Sequence, residues 1–215
     1  MTRLEAIKER FFSTGDAGET VRLRSDAVDE AAISLFDAQF GKPSGLALLA
    51  VGGYGRRQLF PYSDVDLLIL LEEEGVPGST REKISAFLRE LWDGGMRASH
   101  SVRTPSECTS IVAGNRELNV SLLDARYLAG DRLLYERLAE RLTYFYTRER
   151  DALTRALGQL TRDRHAKHGN TIYHLEPNIK EAPGGVRDLH LIGWLSQLGG
   201  IEPENSREEL GEAQR

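Results

Sequence analysis

The apolar positions of this 215-residue chain fall into two patterns. Over 46–51 (Leu-Ala-Leu-Leu-Ala-Val) and 65–71 (Val-Asp-Leu-Leu-Ile-Leu-Leu) they run almost unbroken, which predicts two strands buried on both faces. Elsewhere they recur at helical spacing. Val28, Ala31, Ala32, Leu35 and Phe36 share one face of a helix expected over 21–40, ended by the turn chemistry of Gly41-Lys42-Pro43-Ser44-Gly45. A shorter helix is expected over 4–12, interrupted by Gly15-Asp16-Ala17-Gly18. Ile84, Phe87, Leu88 and Leu91 mark another helix, with Ser79 or Thr80 as its cap, beyond a polar loop over 72–78 that includes Glu74, Val76 and Pro77. A third strand is expected over 96–102. Thr104-Pro105-Ser106-Glu107 reads as a capping box with proline in the first turn. The alternation of Leu118, Val120 and Leu122 favours a strand over 118–126. From Asp131 a helical stretch continues to about residue 168, with a break near Thr147. The polar stretch after Glu202 is expected to fray.

Strands and helices alternate, so the fold class is α/β (α+β), with a helical extension on the C-terminal side. The organisation is a helical segment over 1–45, a sheet core over 46–130 and the extension over 131–215. No internal repeat is evident.

The chemistry concentrates between the two apolar runs. Val51-Gly52-Gly53-Tyr54-Gly55-Arg56-Arg57 is a glycine-rich turn, and Ser63-Asp64-Val65-Asp66 opens the second strand. Glycines let backbone N–H groups approach phosphate oxygens closely. At Gly53 a β-branched side chain would block that approach and resist the backbone angles expected there. Residues i and i+2 of a strand share a face, so Asp64 and Asp66 converge. Two convergent carboxylates are costly without a cation between them, and Mg²⁺ prefers oxygen ligands plus substrate phosphates. The combination points to metal-dependent transfer of a nucleotide from a nucleoside triphosphate. Arg56 and Arg57 could neutralise the leaving pyrophosphate, although Arg57 reads equally as a solvated side chain. Ser63 either bonds a phosphate or shapes the loop. Tyr54 and Tyr62 either stack on a base or pack.

The glycine turn with Asp-x-Asp resembles the signature of the polymerase-β-type nucleotidyltransferase superfamily. The longer string Gly52-Gly-Tyr-Gly-Arg-Arg-Gln-Leu-Phe-Pro-Tyr-Ser-Asp-Val-Asp-Leu-Leu-Ile-Leu70 is closer to the bacterial PII-protein uridylyltransferases. Leu175-Glu-Pro-Asn-Ile-Lys-Glu-Ala-Pro-Gly-Gly-Val-Arg-Asp-Leu-His190, His100-Ser-Val-Arg-Thr104 and Leu123-Asp-Ala-Arg-Tyr-Leu-Ala-Gly-Asp131 also fit that family. The resemblance implies a mixed sheet flanked by helices and a two-metal Mg²⁺ site. It also implies UTP as donor, and a tyrosine of a PII-type signalling protein as acceptor. It implies a third carboxylate, for which Asp124 is the candidate and Glu117 a weaker one; a salt bridge to Arg126 is the alternative for Asp124. Lys180 and Arg187 lie in a block that could serve a triphosphate or form a rigid turn. Two departures stand out. Arg57-Gln58 replaces the usual Gly-Glu. The chain also has no His-Asp dipeptide, so uridylyl removal and glutamine sensing are not expected of it. Adenylyl transfer, or nucleotide binding without turnover, are the rival functions.

Composition narrows the field. A net charge of −5 argues against a nucleic-acid-binding surface. No apolar run approaches the ~18 residues of a membrane span, and none resembles a signal peptide. Cys108 is the single cysteine, which excludes an intrachain disulfide, fits a cytoplasmic setting and reads as a small packing residue. His165 and His168 read as part of a solvated basic face, and His100, His174 and His190 show no metal-ligand spacing. No P-loop is present.

Overall fold

The computed structural model describes residues 3–73, 75, 78–111, 116–173, 175–176 and 178–199. The expectations for Glu74, Val76, Pro77, His174, Pro177 and the stretch after Glu202 lie outside them. The chain forms two compact units, Met1–Leu142 and Thr143–Arg215, divided within one long helix.

The first unit is built on a mixed sheet, as expected. Its strands are β1 (Leu46–Ala50), β2 (Val65–Leu71), β3 (Ala98–Arg103) and β4 (Arg126–Gly130), in the order β3-β2-β1-β4. β1 runs antiparallel to β2 and β4, whereas β2 and β3 are parallel. Every residue of β1 is buried, as its unbroken apolar run requires. In β2 only Asp66 escapes full burial.

Helices α1 (Arg3–Thr14) and α2 (Ala17–Phe40) precede the sheet. The break between them is the one the glycines predict, and Asp16 caps α2 by accepting from the Glu19 N–H at 2.8 Å. α2 and α4 (Gly78–Asp93) share the core with one face of the sheet. Phe36 sits at the centre, fully buried and edge-on to Phe87 at 5.9 Å. Leu46, Leu48 and Ala50 of β1 and Val65, Leu67, Ile69 and Leu71 of β2 belong to this core. By strand alternation, Asp66 therefore points to the opposite face.

Edge strand β3 is far more polar than β1 and β2, and Trp92 of α4 donates its indole N–H to the Ala98 carbonyl at 3.1 Å. The predicted capping box appears in α5 (Pro105–Cys108), where Thr104 and Glu107 bond reciprocally. Cys108 packs as expected: it is fully buried, and burial pushes its thiol up to about 12.

Three local expectations need correction. Residues 118–126 do not form one strand. They form α6 (Arg116–Ser121), a 3₁₀ turn (Leu122–Asp124) and only then the start of β4. A five-residue alternation of Leu118, Val120 and Leu122 is too short to exclude a helix. Asn119, between them, is fully buried and donates to the Cys108 carbonyl at 3.0 Å, a contact that strand alternation does not anticipate. The glycine-rich turn is itself a one-turn helix, α3 (Gly52–Gly55). Ser79 and Thr80 lie inside the first turn of α4, which already begins at Gly78.

Asp131 starts α7 (Arg132–Arg148) by accepting from the Leu134 N–H at 3.1 Å, and it also ties down the Gly45 N–H at 2.9 Å. The second unit contains α8 (Arg150–Lys167) and α9 (Val186–Gly199). The predicted break in the long helical stretch thus falls at Glu149.

Truncating the central aromatic tests this packing. Phe36→Ala should lower stability by about 3–5 kcal/mol, the usual loss for a phenylalanine cavity. Urea unfolding with a change below 1 kcal/mol would show that the α2–sheet core is not close-packed around Phe36.

Candidate active site

β1 leads through Val51 directly into α3, and the Val51 N–H donates to the Asp66 carbonyl at 3.1 Å. This pairing places the glycine helix beside the start of β2. Gly52 has φ +57°, the left-handed region that side chains avoid. A Cβ there would lie 3.5 Å from Asp66 Oδ2. Gly52 is therefore the glycine that backbone conformation demands, while a Cβ there would make only ordinary contact with Asp66. Gly53 has an ordinary φ, and its Cβ would meet nothing closer than 3.7 Å, so the expectation that Gly53 needs unusual backbone angles fails. Gly55 is required for another reason: a side chain there would collide with the Asp124 backbone carbonyl.

Asp64 and Asp66 flank buried Val65 at the start of β2. Strand β3 and the residue before it place a donor against each. Arg97 Nε lies 3.2 Å from Asp64 Oδ1, in an exposed pair. Ser99, directly opposite Asp66 in the parallel register, donates its hydroxyl to Asp66 Oδ1 at 2.6 Å. Oδ2 of Asp66 borders Gly52. Motif reading missed both Arg97 and Ser99. The signal that could have found Ser99 is a polar residue at a strand position opposite a strand-borne aspartate.

The remaining expected site residues have other partners. Asp124 is on the 3₁₀ turn, not on a strand, and its side chain is only 3% exposed. It is ion-paired with Arg56, whose Nε also donates to Gln58 Oε1 at 3.1 Å. Among the described residues, no group of three or more acidic, histidine or cysteine side chains could hold a metal ion. Asp64, Asp66 and Asp124 thus do not form a three-carboxylate cluster there. Arg57, at φ +61°, pairs with Asp26 at 2.6 Å and lies 3.9 Å from Asp29. Glu117 is an exposed residue of α6. Ser63 is half-buried in the loop before β2, its N–H donating to the Phe60 carbonyl at 3.1 Å. Tyr54 packs: it is buried, the Arg126 guanidinium lies 5.5 Å from its ring centroid, and burial pushes its hydroxyl well above the usual tyrosine range. Tyr62, by contrast, is 87% exposed.

Arg126, at the start of β4, holds the glycine helix. Its Nη1 and Nη2 donate to both carboxylate oxygens of Asp29 in α2, at 2.7 and 3.0 Å. Its Nε donates to the Gly55 carbonyl at 3.1 Å and Nη2 to the Tyr54 carbonyl at 3.3 Å. Asp29 is nearly buried, so this cation is its compensation.

Among the described residues no third acidic, histidine or cysteine side chain joins Asp64 and Asp66. Two carboxylates alone would suit a hard cation that arrives with phosphate oxygens and keeps waters, not one caged by protein.

Within the second unit, residues 178–185 form a folded turn ahead of α9. Asn178 Oδ1 accepts from the N–H groups of Lys180 and Glu181 at 3.1 and 2.9 Å. Asp188 accepts from the Gly184 N–H at 2.7 Å and from His165 Nε2 at 3.0 Å, and pairs with Arg164. Burial alone would raise the Asp188 carboxyl, but bonds from Arg164, Gly184 and His165 hold it below the usual range. His165 is therefore not part of a solvated face; it belongs to this polar junction. Lys180 is exposed, and Arg187 pairs with Glu181 at 3.3 Å.

The mixed sheet, its glycine helix and the aspartate pair at the start of β2 are those of an α+β nucleotidyltransferase-type fold. Residues 152–212 match the family described as GlnD PII-uridylyltransferase. Over that stretch the chain is similar to this family. It is 40% identical over 190 residues to a bifunctional uridylyltransferase/uridylyl-removing enzyme of Methylococcus capsulatus, covering 88% of the chain and 22% of the relative. Enzymes of the same name from Chromobacterium violaceum and Haemophilus influenzae are each 40% identical, covering 92% and 86% of the chain and 22% and 21% of the relatives. The chain thus spans about a fifth of the length of the curated relatives it matches. No helix among the described residues is long and apolar enough to cross a membrane.

Two outcomes check the site's scaffold. Arg126→Leu should destabilise the chain by about 3 kcal/mol, because buried Asp29 would lose its bidentate partner and keep only the more distant Arg57 at 3.9 Å. Chemical unfolding of that variant beside Asp29→Asn/Arg126→Leu should show partial recovery in the double variant; equal losses would remove the charge argument. The Asp188 carboxyl, depressed in the folded chain, contributes stability above its unfolded value of about 3.9. That contribution should disappear as pH falls through the lower folded value. Unfolding curves between pH 2 and 5 should steepen for the wild type relative to Asp188→Asn, and parallel curves would contradict the assignment.

Proposed function

We propose that this chain carries a Mg²⁺-dependent nucleotidyl-transfer site that moves UMP from UTP to a tyrosine hydroxyl of a PII-type signalling protein, in a cytoplasmic setting. The observation that carries the reading is Asp66 on β2, with one carboxylate oxygen held by Ser99 and the other bordering Gly52. Asp64 stands two residues earlier, in an exposed ion pair that costs little to open. The choice of UTP and of a PII protein rests on the family relationship alone.

In this reading, the backbone N–H groups of Gly52 and Gly53 face the triphosphate. Gly52 leaves room for a phosphate where any side chain would stand beside Asp66. Asp64 and Asp66 would hold the divalent cations, which when bound would lower the pKa of the attacking hydroxyl and offset charge growing on pyrophosphate. The acceptor oxygen forms a bond to the α-phosphorus as the bond to pyrophosphate breaks. Arg126 and Asp29 keep the glycine helix in place while this happens. Arg56 and Arg57, engaged with Asp124 and with Asp26, support the turn from behind; binding of phosphate by them would require exchange of these partners.

The test is direct. Purified chain with labelled UTP or ATP, Mg²⁺ and a PII protein should label the PII protein from UTP, and more slowly or not at all from ATP. Asp66→Asn should reduce the rate by several orders of magnitude with thermal melting unchanged, since the residue contributes charge to the site and little to the core. Near wild-type transfer by that variant would sink the assignment. Labelling from ATP alone would favour adenylyl transfer, and UTP binding without labelling would favour a binding module.

A further inference from the structure

The bond between Ser99 and Asp66 joins two side chains at the polar end of the sheet, where water competes for both. A hydrogen bond in such a place adds little to folding stability. Its geometric effect is larger. The terminal torsion of an aspartate is broad, so an unrestrained carboxylate presents its oxygens over a range of angles. The Ser99 hydroxyl, 2.6 Å from Oδ1, fixes the carboxylate plane and leaves Oδ2 toward Gly52. The placement follows from topology: β2 and β3 are parallel, with Asp66 paired to Ser99, so both side chains leave the sheet on the same face.

We propose that Ser99 is a positioning residue for nucleotide transfer, orienting the Asp66 carboxylate toward the cation that accompanies the triphosphate. This rests on the reading of Asp66 as a cation-facing carboxylate. Ser99 does not itself touch the reacting atoms. It acts as hydrogen-bond partners behind metal ligands generally do, by holding a ligand in the orientation that binds. Threonine retains the hydroxyl and fits an edge strand, whereas alanine removes the donor and keeps the backbone.

The experiment measures UTP affinity by calorimetry for the whole chain, with Mg²⁺ and with chelator, together with Mn²⁺ binding by electron paramagnetic resonance in the presence of UTP. Ser99→Ala should weaken UTP binding about tenfold with Mg²⁺ and weaken Mn²⁺ retention in parallel. Metal-free UTP binding and thermal melting should stay at wild-type values. Ser99→Thr should restore the metal-dependent affinity. Ser99→Ala that binds Mg²⁺ and UTP like the wild type overturns the role of Ser99 alone, as does an equal loss with and without metal. A wild-type chain whose UTP affinity responds neither to metal nor to Asp66→Asn overturns the functional reading beneath it, and this inference with it.

Discussion

One guanidinium ties the site to the fold. Arg126 reaches from the start of β4 to Asp29 on α2, and on the way it donates to two carbonyls at the end of the glycine helix. A one-turn helix has no stability of its own, because nucleation costs more than a single turn returns. Its position must come from outside. Arg126 supplies that from one side, and the Val51–Asp66 backbone bond from the other. The planar fork of arginine suits this task, since it bonds a carboxylate with two nitrogens and still offers its third to a carbonyl. A lysine could not make the same set of contacts. The glycine turn is therefore held in place by residues that lie outside it.

The sheet separates two demands. One face carries the α2–α4 core, with Phe36 and Phe87 at its centre. The other carries Asp66 and Ser99. Strand alternation allows this because Val65, Leu67, Ile69 and Leu71, which face the α2–α4 core, have the opposite parity to Asp66 along β2. Farther along that face, Leu68 and Leu70 are fully buried again, so the polar site is confined to the strand end beside the glycines.

Much of this was legible in the chain. The two apolar runs declared the two central strands, because unbroken burial is a local property, and the glycines and aspartate pair between them marked the candidate site. The fold class and the long C-terminal helices were legible for the same reason. Partner choice was not. Asp124 lies two residues from Arg126, yet its ion pair is with Arg56, 68 positions away, while Arg126 goes to Asp29, 97 positions away. Spacing along the chain says nothing about such pairs, since the sheet brings them together. His165 and Asp188 met for a similar reason, across the turn between α8 and α9. The segment over 118–126 misled because its alternation was brief and its buried Asn119 carried the opposite message. Ser99 was visible only through register, which requires knowing that β3 lies parallel to β2.

The outermost position of β3 carries a cost of its own. In its parallel pairing, the Val65 N–H bonds the Arg97 carbonyl, so the backbone groups of Ala98, His100 and Val102 point away from β2. An outer strand with free backbone groups is a template for accidental self-association. Here the strand is short and polar, arginines stand just before it and at its end, and the Trp92 indole covers the Ala98 carbonyl. The serine that orients Asp66 is thus also part of what keeps this rim from recruiting a stray chain: the hydrophilic sequence suited to holding a carboxylate is the one least suited to amyloid-like stacking.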